Sequence, residues 1–165
     1  MRPERVHFRL IEQSPRAHLR GEGQEMSSVR KKDQTEHRFT VLDKALDLYE
    51  HTSTLIANEK VFDRTYKGLI DKIDNSAMMI YHCCRSANED FDARVKEDAA
   101  IRLELQKEAI ENCKWLKSYI RLSKRKFHLR AKKVIYWNSL VNSTMEIITA
   151  WHKSEVKRFK EIHGL

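Results

Sequence analysis

Apolar residues recur every three or four positions through most of this chain, and that period predicts long helices rather than strands. Val41, Ala45, Leu48, Thr52 and Leu55 mark one stripe, widened by Leu42, Tyr49 and Ile56. They predict a first helix that starts after Thr40 as a cap and ends near Asn58. Tyr66, Ile70, Ile73, Ala77, Ile80, Cys84, Ala87 and Phe91 alternate four and three, the pattern of a bundle seam on a second helix from about Thr65 to Asn88, with Asp63 or Thr65 as its cap. A third helix is expected from about Asp92 to Ser123, with Ala99, Leu103, Gln106, Ile110, Cys113 and Ile120 on one side and Leu116 beside them. A fourth is expected from about Arg130 to Ile162, with Val134, Trp137, Val141, Thr144, Ile148 and Trp151 as its seam and Gly164 as its stop.

The punctuation residues agree. Pro3, Pro15, Gly21 and Gly23 crowd the first part of the chain, and beyond it only Gly68 and Gly164 interrupt. A sheet protein needs far more turn residues. The expected fold is therefore all-α, an up-down-up-down four-helix bundle over residues 39–165, preceded by a disordered basic leader over residues 1–38. Gly21 to Glu25 would be encoded by purine-rich codons just before Met26, as a bacterial ribosome-binding site would be. Met26 is thus an alternative start. Arg30, Lys31, Lys32 and Arg38 read as a solvated arm, or as one that grips a phosphate backbone.

Charge sharpens the picture. The 165 residues carry a formal net charge of +8, which favours phosphate polymers or anionic surfaces as partners. The excess is concentrated. From Asn112 to Met145 there is no Asp or Glu, while Lys114, Lys117, Arg121, Lys124, Arg125, Lys126, Arg130, Lys132 and Lys133 all fall within that stretch. Lys114, Lys117, Arg121 and Lys124 are three or four apart and share a helix face. Acids such as Glu97, Asp98, Glu104, Glu108 and Glu111 precede them on the same helix. The helix dipole accounts for acids early and cations late, but not for the continuation of the cations into the fourth helix. The run predicts a fixed surface for RNA or DNA. Trp137 and Trp151 fit core positions, whereas Trp115, Tyr119 and Tyr136 stand next to basic residues, where aromatics can stack on bases.

Catalytic patterns are weak. Glu4 and His7 form the only Glu-x-x-His spacing, and they lie in the leader. Cys83, Cys84 and Cys113 give no disulfide framework, and His82-Cys83-Cys84 has no second cluster to complete a metal site. A reduced, cytoplasmic protein without metal or other cofactor is expected. No segment suggests membrane insertion. Arg121 with His128, and Arg158 with His163, match helical ribonucleases only loosely, since Leu122 and Phe159 stand where those enzymes place a polar residue. The expectation is a protein that is not an enzyme.

Ala109, Cys113-Lys114-Trp115-Leu116, Ser123-Lys124-Arg125-Lys126-Phe127, Leu140, Ile147, Ile148 and Trp151-His152-Lys153 resemble the second half of accessory variability determinant proteins and of related bundle proteins from ribosomal RNA intervening sequences. The resemblance covers roughly residues 39–155 and is specific mainly in the last two helices. It implies a bacterial or phage-encoded, non-enzymatic homopentamer. Such a protein binds nucleic acid and a reverse transcriptase, and assists the mutagenic copying of a diversity-generating retroelement. The alternative is a structural or interaction protein of the intervening-sequence type, without that partner.

Overall fold

The computed structural model describes the backbone from Glu25 to Leu165 and the side chains from Thr40 onward; the first 24 residues of the expected leader lie outside the described residues. Four helices account for nearly all of the rest: α1 (Glu25–Ile56), α2 (Lys67–Glu89), α3 (Lys96–Lys126) and α4 (Ala131–His163), with a short 3-10 turn at Arg64–Tyr66 before α2. No strand occurs among the described residues. The expected all-α class is what the chain adopts.

Each helix packs against its neighbour in sequence, and α1 packs against α4 to close the ring. Cross-helix hydrogen bonds fix the directions. Trp137, early in α4, donates its Nε1–H to Thr52 Oγ1 near the end of α1 at 2.9 Å, while Thr144 donates to the Lys44 carbonyl at 3.2 Å. At the other end, Arg102 near the start of α3 meets Glu155 late in α4. These contacts run in opposite senses along α1–α4 and α3–α4, and short connections turn the chain back between α1 and α2 and between α2 and α3, so the bundle is up-down-up-down.

The core follows the heptad stripes. Val41, Ala45, Leu48, Ile70, Ile73, Ala77, Ile80, Cys84, Cys113, Leu116, Ile120, Val134, Trp137, Val141 and Ile148 are all buried. Apolar burial of this kind contributes about 25 cal/mol per Å² and is the main favourable term. Cys83, Cys84 and Cys113 are buried and free. Burial pushes the Cys83 and Cys113 thiols up to about 12, the Glu108 carboxylate adding to the rise at Cys83, so neither is a nucleophile near neutrality.

Several expected boundaries move. The backbone of α1 is already helical from Glu25, so Thr40 lies inside the helix and not at its cap. Between Gly23 and Gly68 there is no Pro or Gly, and Glu, Met, Arg, Lys and Gln are good helix formers. Residues 25–38 therefore extend α1, where the sequence reading put them in the leader. Helix α3 starts at Lys96 because Asp92 holds a tight turn instead: its Oδ1 accepts from the Arg94 N–H at 2.9 Å, and its side chain pairs with the Arg94 guanidinium. At Asp63 the expected cap is present, its carboxylate accepting from Thr65 N–H at 2.9 Å, but it caps the 3-10 turn rather than α2 itself. Gly164 ends α4 in the left-handed region at φ 69°, as its position suggested.

The larger correction concerns the end of the bundle where α3 begins and α4 finishes. Arg102, not Leu103, and Ala109, not Ile110, occupy the α3 seam, and Glu155 and Phe159 continue the α4 seam past the half-buried Trp151. Arg102 and Glu155 are almost wholly buried. Arg102 donates to Glu155 from Nη2 at 2.7 Å and from Nε at 3.3 Å, and to the Phe91 carbonyl at 3.1 Å. Gln106 donates from Nε2 to Glu155 at 2.7 Å, and Arg158 donates to it at 3.0 Å. A carboxylate only accepts, so the Gln106 amide must turn its NH2 to Glu155 and its oxygen to His152 Nδ1, 3.1 Å away. The Nδ1–H tautomer of neutral His152 completes the chain of donors.

Protonation acts on this network. Burial alone would raise the Glu155 carboxyl, but the hydrogen bond and charge of Arg102, with Gln106 and Arg158, outweigh it and hold the group below its ordinary value. Burial, with Lys107 nearby, holds His152 below the usual histidine value. Both folded values are depressed, so in acid the unfolded chain binds the extra proton first. The stabilisation they contribute is complete above their unfolded values and is lost as pH falls. Unfolding midpoints in urea should therefore drop in two stages as pH falls: first below about pH 6.5, the ordinary histidine value, for His152, then below about pH 4.5, the ordinary glutamate value, for Glu155. His152→Gln should remove the first stage.

Candidate nucleic-acid interface

The basic run lies at the opposite end of the bundle, where α3 turns into α4. Along α4 the distance from Lys133 to Glu155 is about 33 Å at about 1.5 Å per residue. Arg125 and Lys126 close α3, Phe127, His128 and Leu129 make the corner, and Arg130 precedes α4 in an extended conformation. Two features hold this corner still. Leu129 is buried. The Phe127 ring packs against Phe62 at 4.6 Å and edge-on against Tyr66 at 5.6 Å, tying the corner to the α1–α2 connection. Phe62 is wholly buried and also meets the Trp137 ring at 6.4 Å. Sequence reading missed Phe62, because a lone aromatic in a polar connection belongs to no stripe.

His128 has φ 50°, the left-handed conformation that ends many helices. A side chain there costs roughly 1–2 kcal/mol. His128→Gly should therefore raise the unfolding free energy by up to about 1 kcal/mol, the greater freedom of glycine in the unfolded chain taking back part of the gain. His128→Val should lower it. Chemical denaturation of the two variants checks the sign.

Lys114, Arg121, Lys124, Arg125, Lys126, Arg130, Lys132 and Lys133 are exposed, and Lys117 is half-buried. Lys114 pairs with Glu111 one turn earlier on its own helix. Among the described residues none of the others has an ion-pair partner. Acids near this end are engaged elsewhere: Glu59 with Arg64 at 3.1 Å, Asp71 with Lys67, and Asp63 in its cap. The cations do not all face one way. Lys117, Arg121 and Lys124 follow one another at spacings of four and three along one flank of α3. Lys126 lies over the Tyr66 ring, its Nζ 5.4 Å from the centroid, on the side of α2.

Arg130, Lys132 and Lys133 sit at the start of α4, where the first turn contains no acid. A helix N-terminus is the positive end of its dipole and favours carboxylates. Cations there oppose that preference, whereas those at the end of α3 comply with it. At the start of α4 the dipole and backbone N–H groups add to the positive side chains, while the end of α3 brings the negative end of its dipole to the same corner, so the net positive field there comes from the side chains.

The pairs considered for catalysis are placed as follows. Arg121 and His128 are both exposed at the corner. Arg158 is bound to Glu155 and stacked on Phe159, and His163 donates to the Ala93 carbonyl at 3.0 Å. Among the described residues no three His, Cys, Asp or Glu gather into a group that could hold a metal ion, and no helix is long and apolar enough to cross a membrane. No family model, curated protein or solved structure matches the chain.

Proposed function

We propose that this protein is a non-enzymatic nucleic-acid-binding bundle whose contact surface is the α3–α4 corner. One observation carries the reading: the cations from Lys117 to Lys133 are held on a packed corner without ion-pair partners among the described residues. Ordinary solvated faces mix the two signs, and like charges one turn apart repel by a few tenths of a kcal/mol. Phosphates relieve that repulsion and release condensed counterions. The resemblance of α3 and α4 to accessory variability determinant proteins supports the remainder of the proposal: a homopentamer that binds RNA or DNA, engages a reverse transcriptase and assists mutagenic copying of a diversity-generating retroelement. A ring would repeat the corner around its axis and multiply a modest attraction.

Salt titration of binding to RNA and to DNA tests the contact. If each chain neutralises about five phosphates, log K falls against log salt with a slope near −4.5. A flat response overturns the proposal. A reverse transcriptase gene beside this one, and co-purification of its product with the protein, test the partner. Binding without such a neighbour supports the intervening-sequence type instead.

A further inference from the structure

The outer face of α3 carries a second feature that its charge does not explain. Trp115, Tyr119 and Leu122 repeat at four and three, a spacing that normally marks a buried stripe. Trp115 is 56% exposed and Leu122 47%. The Trp115 and Tyr119 rings are stacked, with centroids 6.2 Å apart and planes 20° from parallel. Tyr119 is half-buried against the core and backs the exposed Trp115 ring, which forms the platform on the surface. Each member follows a polar or basic residue by one position: Lys114 before Trp115, Ser118 before Tyr119, Arg121 before Leu122. One residue is about 100° of rotation on a helix, so the aromatic row and the basic row run side by side along α3. The row then reaches Lys126, beside the 40% exposed Tyr66.

Resting on the proposed nucleic-acid reading, the geometry points to a single strand as the ligand, its bases stacked on Trp115, which the half-buried Tyr119 ring backs, and its phosphates on the adjoining Arg121 and Arg125. A duplex hides the faces of its bases inside the stack and offers α3 only phosphates. It would engage the cations and leave the tryptophan ring in water. An unpaired base presents a π-face that an exposed indole can cover, whatever its sequence. Rows of opposite character, one apolar and planar and one cationic, match the two sides of a single strand.

The test compares oligo-dT and oligo-U with a duplex of equal length, using the full chain, Trp115→Ala and Trp115→Phe. Trp115→Ala should weaken single-strand binding about tenfold, leave duplex binding and the salt slope unchanged, and melt like the parent, since the residue is exposed. Trp115→Phe should keep most of the affinity. Trp137 is fully buried, and Trp151 is half-buried beside Arg102 at the far end. Quenching of tryptophan fluorescence by oligo-dT should therefore appear in the parent and vanish in Trp115→Phe. Salt-dependent binding that Trp115→Ala leaves unchanged on every probe overturns this inference alone. So does a change from oligomer to monomer in Trp115→Ala with single-strand and duplex affinities falling equally, which would make the row a contact between copies of the chain. Absence of binding by the parent at low salt overturns this inference and the nucleic-acid reading together.

Discussion

Glu155→Ala is expected to destabilise the bundle by about 3–5 kcal/mol, the range for breaking a buried ion pair by removing one partner. The loss leaves the Arg102 guanidinium buried without its carboxylate, and deprives Gln106 and Arg158 of their shared acceptor. For a chain of this size the melting temperature should fall by roughly 6–20 °C. Glu155→Gln should fall between parent and alanine variant, since the amide keeps an acceptor but not the charge. The double variant Arg102→Met, Glu155→Leu should recover most of the loss, because two apolar side chains carry no desolvation penalty. Urea unfolding and calorimetry measure all three. A melting temperature for Glu155→Ala within about a degree of the parent would mean that water or a rearranged neighbour reaches Arg102, contrary to its burial.

The second large effect is expected at the other end. Replacing Lys117, Arg121 and Lys124 together with alanine should flatten the slope of log K against log salt by about 2.7 on duplex DNA, or about 2.1 on a single strand, and weaken binding roughly a hundredfold near 0.15 M salt, taking each residue as one phosphate contact. Stability should hold or rise slightly, since close like charges are removed and no ion pair among the described residues is lost. The combination matters: lost affinity with an unchanged fold assigns the residues to a ligand. Replacing Lys67, Lys107 and Arg85 serves as the control, because each is already paired with an acid on its own helix. That variant should lose far less affinity and none of the slope assigned to the corner.

The two ends of the molecule divide the polar chemistry between them. Near the start of α3, opposite charges are withdrawn from water and satisfied by one another. At the α3–α4 corner, charges of one sign are left in water and unsatisfied among the described residues. A buried pair is sensitive to acid and indifferent to salt, while an exposed one-sign surface responds to salt. Stability and binding should therefore separate cleanly by condition: acid should unfold the protein, and salt should release its ligand while the fold persists.

Much of this architecture was legible in the order of residues. The period of 3.6 is a local property, and Ile70, Ile73, Ala77, Ile80 and Cys84 could only bury together on one side of a helix. Gly164 stops α4 because only a residue without Cβ enters the left-handed region at no cost. The acid-free run was equally plain, since charge needs no partner to be counted. What pairs with what was not legible. Arg102 and Glu155 were readable as charges at seam spacing, three residues after Ala99 and seven after Ile148, but 53 positions separate them and only antiparallel packing of α3 on α4 brings them together. Trp115, Trp137 and Trp151 look alike in the sequence, yet one is open, one sealed and one stacked under an arginine. The order of residues determined the rods and the sign of the surface. Tertiary packing alone decided which charges are neutralised and which aromatic rings remain in water, because burial is a property of neighbours and not of spacing.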